Sequence, residues 1–311
     1  MSIRRLIIAI GIIYYILTHK LTNHSPWNLL RFARKDIIKN LSWRYYDTEL
    51  VFTDIHKGEK FMQIVVENKR VGHIPVLEFY NPEATGKLPM ILIFHGFNGS
   101  KEHHIADGYQ LARQGYYAVS LDAHLHGELG ERPFVPSNVV PRMWEVIQET
   151  AAFINPLIDH YCASPPADAS RVGLMGISMG GAIIFEYLPH RRAEIKTAVC
   201  LIAGIPCLWQ IVLENCKPLY PEFRITDEQV AAVLPSGMLP FLPGVSDFPI
   251  LMQYGEADPL IPVGDVRLLH AQTVQNYSDE NKLTLLTYPG VGHEVTAEMA
   301  ARGLAWFNEY L

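Results

Sequence analysis

The stretch GISMG at residues 176–180 stands between an apolar, strand-like run and a helix-like run. A serine on so sharp a strand-to-helix turn has a strained backbone, and the chain can reverse there only if both flanking residues lack bulk. Glycine fills both positions. The turn lifts the hydroxyl of Ser178 clear of the sheet and leaves the amide of Met179 at a helix N-terminus, where it can donate to a developing oxyanion. The pattern therefore predicts a nucleophile elbow at Ser178.

A second oxyanion donor is predicted upstream of the elbow. The run PMILIF at residues 89–94 has the continuous apolar character of a buried strand, and it leads directly into HGFNG at 95–99. A glycine-rich turn at the end of such a strand is where elbow-type sites take their second donor. We therefore expect the amides of Phe97 and Met179 to form an oxyanion hole.

Asp258 and His293 supply the other groups that a serine nucleophile needs. Asp258 follows the strand-like run 248–254, and His293 lies in a glycine-flanked loop after the run 282–288. A serine hydroxyl is a poor nucleophile at neutral pH, so an imidazole with a pKa near ~6.5 must take its proton. A carboxylate fixes the tautomer of that imidazole. The chain order serine, acid, histidine predicts a catalytic triad of Ser178, Asp258 and His293.

Composition and the order of elements favour a single enzyme domain. The 311 residues are 49% hydrophobic, and strand-like runs alternate with helical stretches. That alternation is typical of an α/β fold with a mainly parallel central sheet and helices on both faces. The formal net charge is −6, and the sequence contains no basic stripe, zinc-finger pattern or aromatic RNA-binding pattern. We therefore expect no nucleic-acid partner.

These motifs resemble those of the α/β-hydrolase superfamily over residues 48–311. More narrowly, the chain is similar to small bacterial serine esterases on the branch shared with prolyl oligopeptidase catalytic domains and dienelactone hydrolases. The segments that carry the likeness are HGF at 95–97, DA at 122–123, HG at 126–127, and the elbow with the glycine that follows it. Ile177 departs from the pattern, since many of these relatives have histidine before the nucleophile.

The resemblance implies a role for each residue of the predicted triad. Ser178 is then the nucleophile, His293 the general base and acid, and Asp258 the carboxylate that orients the imidazole. The implied architecture is the α/β-hydrolase fold, with a catalytic domain at residues 48–311 and a short lid insertion.

The lid is predicted at about residues 205–247, a segment rich in proline and apolar residues between two strand-like runs. Trp209, Met238 and Phe241 could line an acyl or alcohol pocket, because small-molecule sites are mostly apolar. The same side chains could instead pack the lid onto the body of the domain. A lid of this length suggests a small to medium substrate rather than a polymer.

Histidine and cysteine residues invite other readings of the chain. The pairs HH at 103–104 and HLH at 124–126 lack accompanying ligands at a recognised metal spacing, so we expect neither a metal nor another cofactor. Cys207 and Cys216 could form a disulfide within the lid in an oxidising compartment, or both could remain free thiols.

The N-terminal part of the chain suggests membrane association. Residues 6–17 are uncharged and apolar, within a hydrophobic segment at 1–21 that is followed by an amphipathic helix or linker at 22–47. A twelve-residue helix covers about 18 Å, short of the ~30 Å hydrocarbon core unless flanking charges snorkel. We expect an uncleaved membrane anchor; the alternatives are a helix packed on a protein surface, with the protein then cytoplasmic, or a removed signal.

Taken as a whole, the sequence predicts a serine hydrolase that cleaves carboxylic esters of small to medium substrates through an acyl-enzyme intermediate. A peptidase or thioesterase using the same triad remains an alternative, as does a non-catalytic binding protein of the same fold. The sequence leaves the oligomeric state open.

Overall fold

The computed structural model describes residues 41–46, 49–54, 62–130, 139–163, 166–205, 208–232 and 245–311. Within these ranges, ten strands form one sheet in the order β1-β2-β3-β4-β6-β5-β7-β8-β9-β10. The strands are β1 (Leu41–Tyr46), β2 (Glu49–Asp54), β3 (Gln63–Val71), β4 (Ile74–Tyr80), β5 (Leu88–Phe94), β6 (Tyr117–Leu121), β7 (Ala167–Ile177), β8 (Ile195–Leu201), β9 (Ile250–Gly255) and β10 (Leu283–Tyr288).

Eight α-helices lie in the described ranges. They are α1 (Ile105–Arg113), α2 (Met143–Ala152), α3 (Ile154–Cys162), α4 (Met179–Tyr187), α5 (Trp209–Leu219), α6 (Asp227–Ala232), α7 (Val263–Val274) and α8 (Ala297–Tyr310). Short 3-10 turns at Lys101–His104 and Pro221–Phe223 matter for the site described below.

The sheet has an antiparallel part and a parallel part. Strands β1 to β4 pair antiparallel in succession, and β4 also pairs antiparallel with β6. From β6 through β5, β7, β8 and β9 to β10, every pair is parallel. The carboxyl ends of parallel strands lie at one edge of a sheet, so the loops that follow β5, β7, β9 and β10 gather there.

Two hydrophobic layers cover the sheet, one on each face. Alternation along β5 separates them: Met90, Leu92 and Phe94 belong to one layer, and Ile91 and Ile93 belong to the other. Successive residues of a strand face opposite sides of the sheet, so a strand buried on both faces needs an unbroken apolar run. Helices α2 to α7 pack in the first layer, and α1 and α8 pack in the second. The predicted α/β architecture, a mainly parallel sheet with helices on both faces, is confirmed.

The sheet begins earlier than the sequence indicates. Residues 22–47 are assigned above to an amphipathic helix or linker, but Leu41–Tyr46 form β1 and pair with β2. Aromatic residues favour strands, and this segment carries three of them. The prediction of a helix or linker is therefore wrong for residues 41–46, because pairing with β2 stabilises this segment as a strand.

Several predictions from the sequence lie outside the described residues. These are the hydrophobic segment at 1–21, the following residues up to 40, and the lid residues Met238 and Phe241. Cys207 also lies outside them, and with it a bond to Cys216. Among the helices that the structure does describe, none has the length and apolarity needed to cross a bilayer.

Candidate active site

Ser178 lies between the end of β7 and the start of α4. Its backbone conformation is one that residues other than glycine rarely adopt. Its φ is 55° and its ψ is −112°. The Ser178 N–H donates to the carbonyl of Leu201 over 3.0 Å, and its own carbonyl accepts from the amides of Gly181 at 3.0 Å and Gly204 at 2.9 Å. These bonds hold the strained turn in place from three directions.

The flanking glycines are required by contacts with backbone atoms. A Cβ added to Gly176 would lie 2.4 Å from the carbonyl oxygen of Gly180, and one added to Gly180 would lie 2.1 Å from the carbonyl oxygen of Phe94. Backbone atoms cannot move aside as a flexible side chain can. The structure therefore gives a steric reason for both glycines of the GISMG motif.

Ser178, His293 and Asp258 form one chain of hydrogen bonds. The Oγ of Ser178 lies 2.9 Å from Nε2 of His293, and Nδ1 of His293 lies 2.8 Å from Oδ2 of Asp258. The other carboxylate oxygen of Asp258 accepts from the amides of Leu260 at 2.8 Å and Ile261 at 3.0 Å. A proton on Nδ1 satisfies both bonds of the imidazole, which leaves Nε2 to accept from the serine hydroxyl.

The loops after β9 and β10 are bonded to each other, which explains why Asp258 and His293 meet. The amide of Glu256 donates to the carbonyl of Tyr288 over 2.9 Å, and the amide of Ala257 donates to the carbonyl of Val291 over 2.9 Å. A Cβ at Gly255 would lie 2.1 Å from that same Val291 oxygen. Glycine at the end of β9 thus allows the close approach of the two loops.

The loop after β5 lies against the elbow. A Cβ built on Gly96 would be 3.4 Å from both the carbonyl oxygen of Ile177 and the Cβ of Ser178. Phe97 follows directly in this loop, and Met179 is the first residue of α4. Met179 therefore adjoins Ser178 in the chain, and Phe97 adjoins Gly96, which lies against the turn; their role as oxyanion donors stays a prediction.

His95 is a site residue whose role the sequence did not indicate. Its Nε2 accepts from the amide of Ala123 over 3.0 Å, and its Nδ1 lies 2.8 Å from the carbonyl oxygen of Gly96. The ring is buried, and that burial lowers the pKa of His95 well below its ordinary value. A neutral imidazole with its proton on Nδ1 thus ties the loop after β5 to the loop after β6. Its position directly after a buried strand was the available signal.

Trp209 packs the lid helix α5 onto the body of the domain. A Cβ on Gly204 would lie 2.7 Å from the Cζ3 atom of the Trp209 ring. Gly204 is also the residue whose amide donates to Ser178. Trp209 is buried, which agrees with the alternative that this side chain packs the lid onto the domain. It also packs against Gly204, the residue that donates to the Ser178 carbonyl.

Two aromatic residues of the lid that the sequence did not single out reach the loop after β5 that contains Phe97, which we call the oxyanion loop after its predicted role. The ring of Phe223 lies edge-on to the ring of Phe97, with centroids 5.5 Å apart. Tyr220 stacks on Phe223 at 5.0 Å. The ring of Phe97 also lies edge-on to the imidazole of His126, with centroids 5.7 Å apart. We call Phe97, Phe223 and Tyr220 the aromatic wall. In the sequence, proline and aromatic residues at the end of α5 were the signal for it.

The histidines that invited a metal reading have other partners. Nε2 of His124 lies 3.3 Å from a carboxylate oxygen of Glu145, and Nδ1 of His126 lies 2.9 Å from the carbonyl of His124. The amide of Ser100 donates to Nδ1 of His103 over 2.9 Å. Across the described ranges, His, Cys, Asp and Glu side chains form no group of three or more suited to a metal ion.

Known proteins resemble this chain in sequence and in fold. The sequence profile of the family described as "Serine aminopeptidase, S33" matches residues 87–230. YitV of Bacillus subtilis (strain 168) is 27% identical over 257 residues, which cover 80% of this chain and 100% of YitV. Esterase YjfP of Escherichia coli (strain K12) is 22% identical over 253 residues, with 80% and 100% covered.

A solved structure extends the likeness to the fold. Acetyl xylan esterase from Paenibacillus sp. R4 has a TM-score of 0.58 at 18% identity, with 94% of this chain and 96% of the other covered. The family profile spans β5 to α6, the part that contains the oxyanion loop, the elbow and the beginning of the lid. The sheet order and the solved structure show that the chain has the α/β-hydrolase fold, and the sequence matches support a hydrolase.

Proposed function

We propose that the protein is a serine esterase that cleaves carboxylic esters of small to medium substrates through an acyl-enzyme at Ser178. The observation that carries the proposal is the continuous chain of hydrogen bonds from Ser178 through His293 to Asp258, at 2.9 and 2.8 Å. Nucleophile, base and orienting carboxylate are already within the distances that the chemistry needs. A protein that only binds its ligand has no chemical need for all three.

The proposed reaction has two halves that use the same groups. In the first, Oγ of Ser178 attacks the ester carbonyl carbon while Nε2 of His293 takes the hydroxyl proton. The amides of Phe97 and Met179 donate to the oxyanion, and collapse expels the alcohol, which receives the proton from His293. In the second, His293 takes a proton from water as that water attacks the acyl carbon; the bond from carbon to Oγ then breaks, the carboxylic acid leaves, and Oγ of Ser178 takes the proton back from His293. Asp258 stabilises the imidazolium in both halves.

Support for a small acyl group comes from the aromatic wall of Phe97, Phe223 and Tyr220. Phe223 lies edge-on to Phe97 and stacks on Tyr220, beside the loop that we propose supplies an oxyanion donor, and these rings would limit the space there. An enclosed pocket gains about 0.8 kcal/mol for each methylene that it buries and nothing for carbons that it cannot enclose. Short to medium acyl esters are therefore the preferred class. The names of YjfP and of the Paenibacillus enzyme agree with an ester substrate.

A peptidase is the second candidate, because the matching family is described as a serine aminopeptidase. The same serine, histidine and carboxylate attack amides as well as esters. Parallel assays with p-nitrophenyl esters and aminoacyl p-nitroanilides separate the two. We expect kcat/KM for the esters to exceed that for the anilides; the reverse order would favour the peptidase.

The direct test combines covalent labelling with kinetics. A fluorophosphonate probe should label the wild-type protein at Ser178, since Oγ attacks phosphorus and fluoride leaves. Ser178→Ala should abolish both labelling and ester hydrolysis, with a loss of at least about 10⁴-fold in turnover. Hydrolysis by the variant within tenfold of wild type would exclude Ser178 as the nucleophile, and an unlabelled, inactive wild type would favour a binding protein.

A further inference from the structure

Lys101 is a lysine whose side chain has no exposed surface. Its ammonium lies 3.2 Å from Asp122, 2.6 Å from Glu128 and 2.9 Å from Glu102. The side chain of Asp122 is likewise 0% exposed. A fully buried lysine is rare because an ammonium loses its hydration on burial. The three carboxylates around the ammonium therefore replace the hydration that it loses.

The backbone of Lys101 is bound by the same neighbours as its side chain. Its amide donates to Oδ1 of Asp122 over 2.8 Å, and its carbonyl accepts from the hydroxyl of Ser120 over 3.0 Å. The other oxygen of Asp122 also accepts from the amide of Glu128 over 2.9 Å. Burial alone would lower the pKa of Lys101, but the charges of Asp122 and Glu102 and the hydrogen bond to Glu128 outweigh it and raise that pKa. The ammonium is therefore charged at neutral pH.

The position of Lys101 in the chain connects it to the active site. It begins the 3-10 turn that directly follows the loop carrying Phe97. At the other end of that loop, His95 accepts from the amide of Ala123. Asp122 and Ala123 are consecutive residues after β6, so both ends of the loop are fixed to the same two residues.

We propose that Lys101 and Asp122 are positioning residues that fix the oxyanion loop, and with it the amide of Phe97, for the transition state. The inference rests on the proposed function, since the amide has a task only if an oxyanion forms. Stability alone does not explain a buried ion pair, because well-packed apolar replacements are often equally stable or more so. Directional bonds to a backbone amide and carbonyl do set the path of a loop. A donor displaced by about 1 Å loses much of its effect on the barrier.

The experiment compares variants of this cluster in the full-length protein. Lys101→Met removes the ammonium, and the double variant Lys101→Met with Asp122→Leu removes both fully buried charges together. Ser120→Ala removes only the hydroxyl bond to the Lys101 carbonyl. For each, kcat and KM are measured with p-nitrophenyl acetate, and Ki with a trifluoromethyl ketone. Attack of Oγ on that ketone forms a carbon–oxygen bond, passes the proton to His293 and leaves an oxyanion on the ketone oxygen.

Glu78→Gln serves as the matched control. Glu78 is also a buried carboxylate, and it accepts from Tyr117 at 2.5 Å and from Tyr161 at 2.8 Å. Glu78 pairs with Val119 in the middle of β6, three residues before Asp122, so about 10 Å of strand separates the two carboxylate residues. Glu78→Gln should lower the melting temperature while leaving kcat and Ki unchanged.

If the inference is correct, the Lys101 variants lose up to about 100-fold in kcat and in inhibitor affinity, with little change in KM. Ser120→Ala should show the same pattern more weakly, and it decides the matter if the Lys101 variants do not fold. Lower melting temperatures with unchanged kcat and Ki would overturn the inference and leave Lys101 a structural role. The proposed function stands or falls separately, on ester hydrolysis by wild type and its loss in Ser178→Ala.

Discussion

The backbone of Ser178 has a conformation that lowers the stability of the folded protein. A serine at φ 55° and ψ −112° lies in a region that costs about 1–3 kcal/mol for a residue with a side chain. The bonds from Gly181 and Gly204 to its carbonyl hold the turn there. The hydroxyl of Ser178 thereby lies 2.9 Å from Nε2 of His293, and the strained backbone lowers the free energy of unfolding.

We therefore expect Ser178→Gly to be more stable than Ser178→Ala, although both are inactive. Alanine keeps the Cβ and its strain, whereas glycine adopts this backbone freely. Glycine also raises the entropy of the unfolded chain, which subtracts about 0.4–1 kcal/mol. A net gain of about 1 kcal/mol corresponds to a melting temperature about 2 °C higher. Calorimetry of the two variants checks this, and a glycine variant that melts no higher than the alanine variant would mean that the turn is unstrained.

His95 should make the stability of the protein depend on pH. Burial lowers its pKa in the folded state, whereas the unfolded chain binds a proton below about pH 6.5. The unfolded state thus holds more protons below that pH, so the stabilising contribution is complete above about pH 6.5 and is lost on acidification. One proton changes the slope of the free energy of unfolding by at most about 1.4 kcal/mol per pH unit.

Urea unfolding of wild type and His95→Gln between pH 7.5 and pH 5 measures that slope. The variant should have the shallower dependence. Thr150→Val is the control, because it removes a buried hydroxyl that accepts from the His124 amide and donates to Val146 but does not titrate. It should lower stability by a constant amount at every pH. Equal slopes in His95→Gln and wild type would contradict the assignment of a neutral buried imidazole.

At the scale of elements, the lid segment Pro221–Phe223 is expected to limit the acyl chain. Phe223 lies against Phe97 and is only partly exposed, so Phe223→Ala opens space beside the oxyanion loop. We expect the ratio of kcat/KM for the octanoate to that for the acetate ester to rise about tenfold, the value of roughly two newly buried methylenes. Leu219→Ala, at an exposed lid position, should leave the ratio unchanged. An unchanged ratio in Phe223→Ala would place the acyl pocket elsewhere.

The elements that carry Ser178, Asp258 and His293 were predictable because each signal is local. An unbroken apolar run followed by glycine or a polar residue marks the end of a buried strand without reference to any other segment. The boundary between α2 and α3 was harder to predict from the sequence. Pro156 suggests a kink in one helix, whereas the structure ends α2 at Ala152 and begins α3 at Ile154. Proline lacks the amide that would bond four residues back, at Ala152, so the interruption falls before the proline itself.

Contacts of Lys101 could not be predicted in this way. Its partners Asp122 and Glu128 lie 21 and 27 residues further along the chain, and they approach it because β6 lies between β4 and β5 in the sheet. In the sequence, Lys101 is one charged residue in a loop, and nothing near it distinguishes a buried ammonium from a solvated one. The same limit applies to Phe223, whose contact with Phe97 depends on how the lid folds back.

Over the whole molecule, the parallel part of the sheet assembles the site. Phe97, Ser178, Asp258 and His293 follow four different strands, yet all four strands point the same way, so their carboxyl ends meet at one edge. The antiparallel strands β1 to β4 contribute no residue to the triad. Of these strands, only β4 pairs with β6, and its Pro75 carbonyl accepts from the amide of Asp122 over 3.2 Å.

A last prediction concerns residues 1–21, which we propose hold the enzyme at a membrane and take no part in the chemistry. Residues 6–17 carry no charge, whereas the predicted catalytic residues all lie beyond residue 95. If the segment is an anchor, protein containing only residues 22–311 should leave the membrane fraction, with unchanged melting temperature and kcat.

Full-length protein with Ile8→Lys and Ile12→Lys is the matched control, because each lysine costs about 2.5–3.5 kcal/mol at the centre of a membrane helix. It should also leave the membrane. A packed helix predicts the opposite pattern: full-length protein absent from the membrane fraction, and a truncated protein that melts well below it, since each large apolar side chain that loses its contacts forfeits about 1.5–3 kcal/mol.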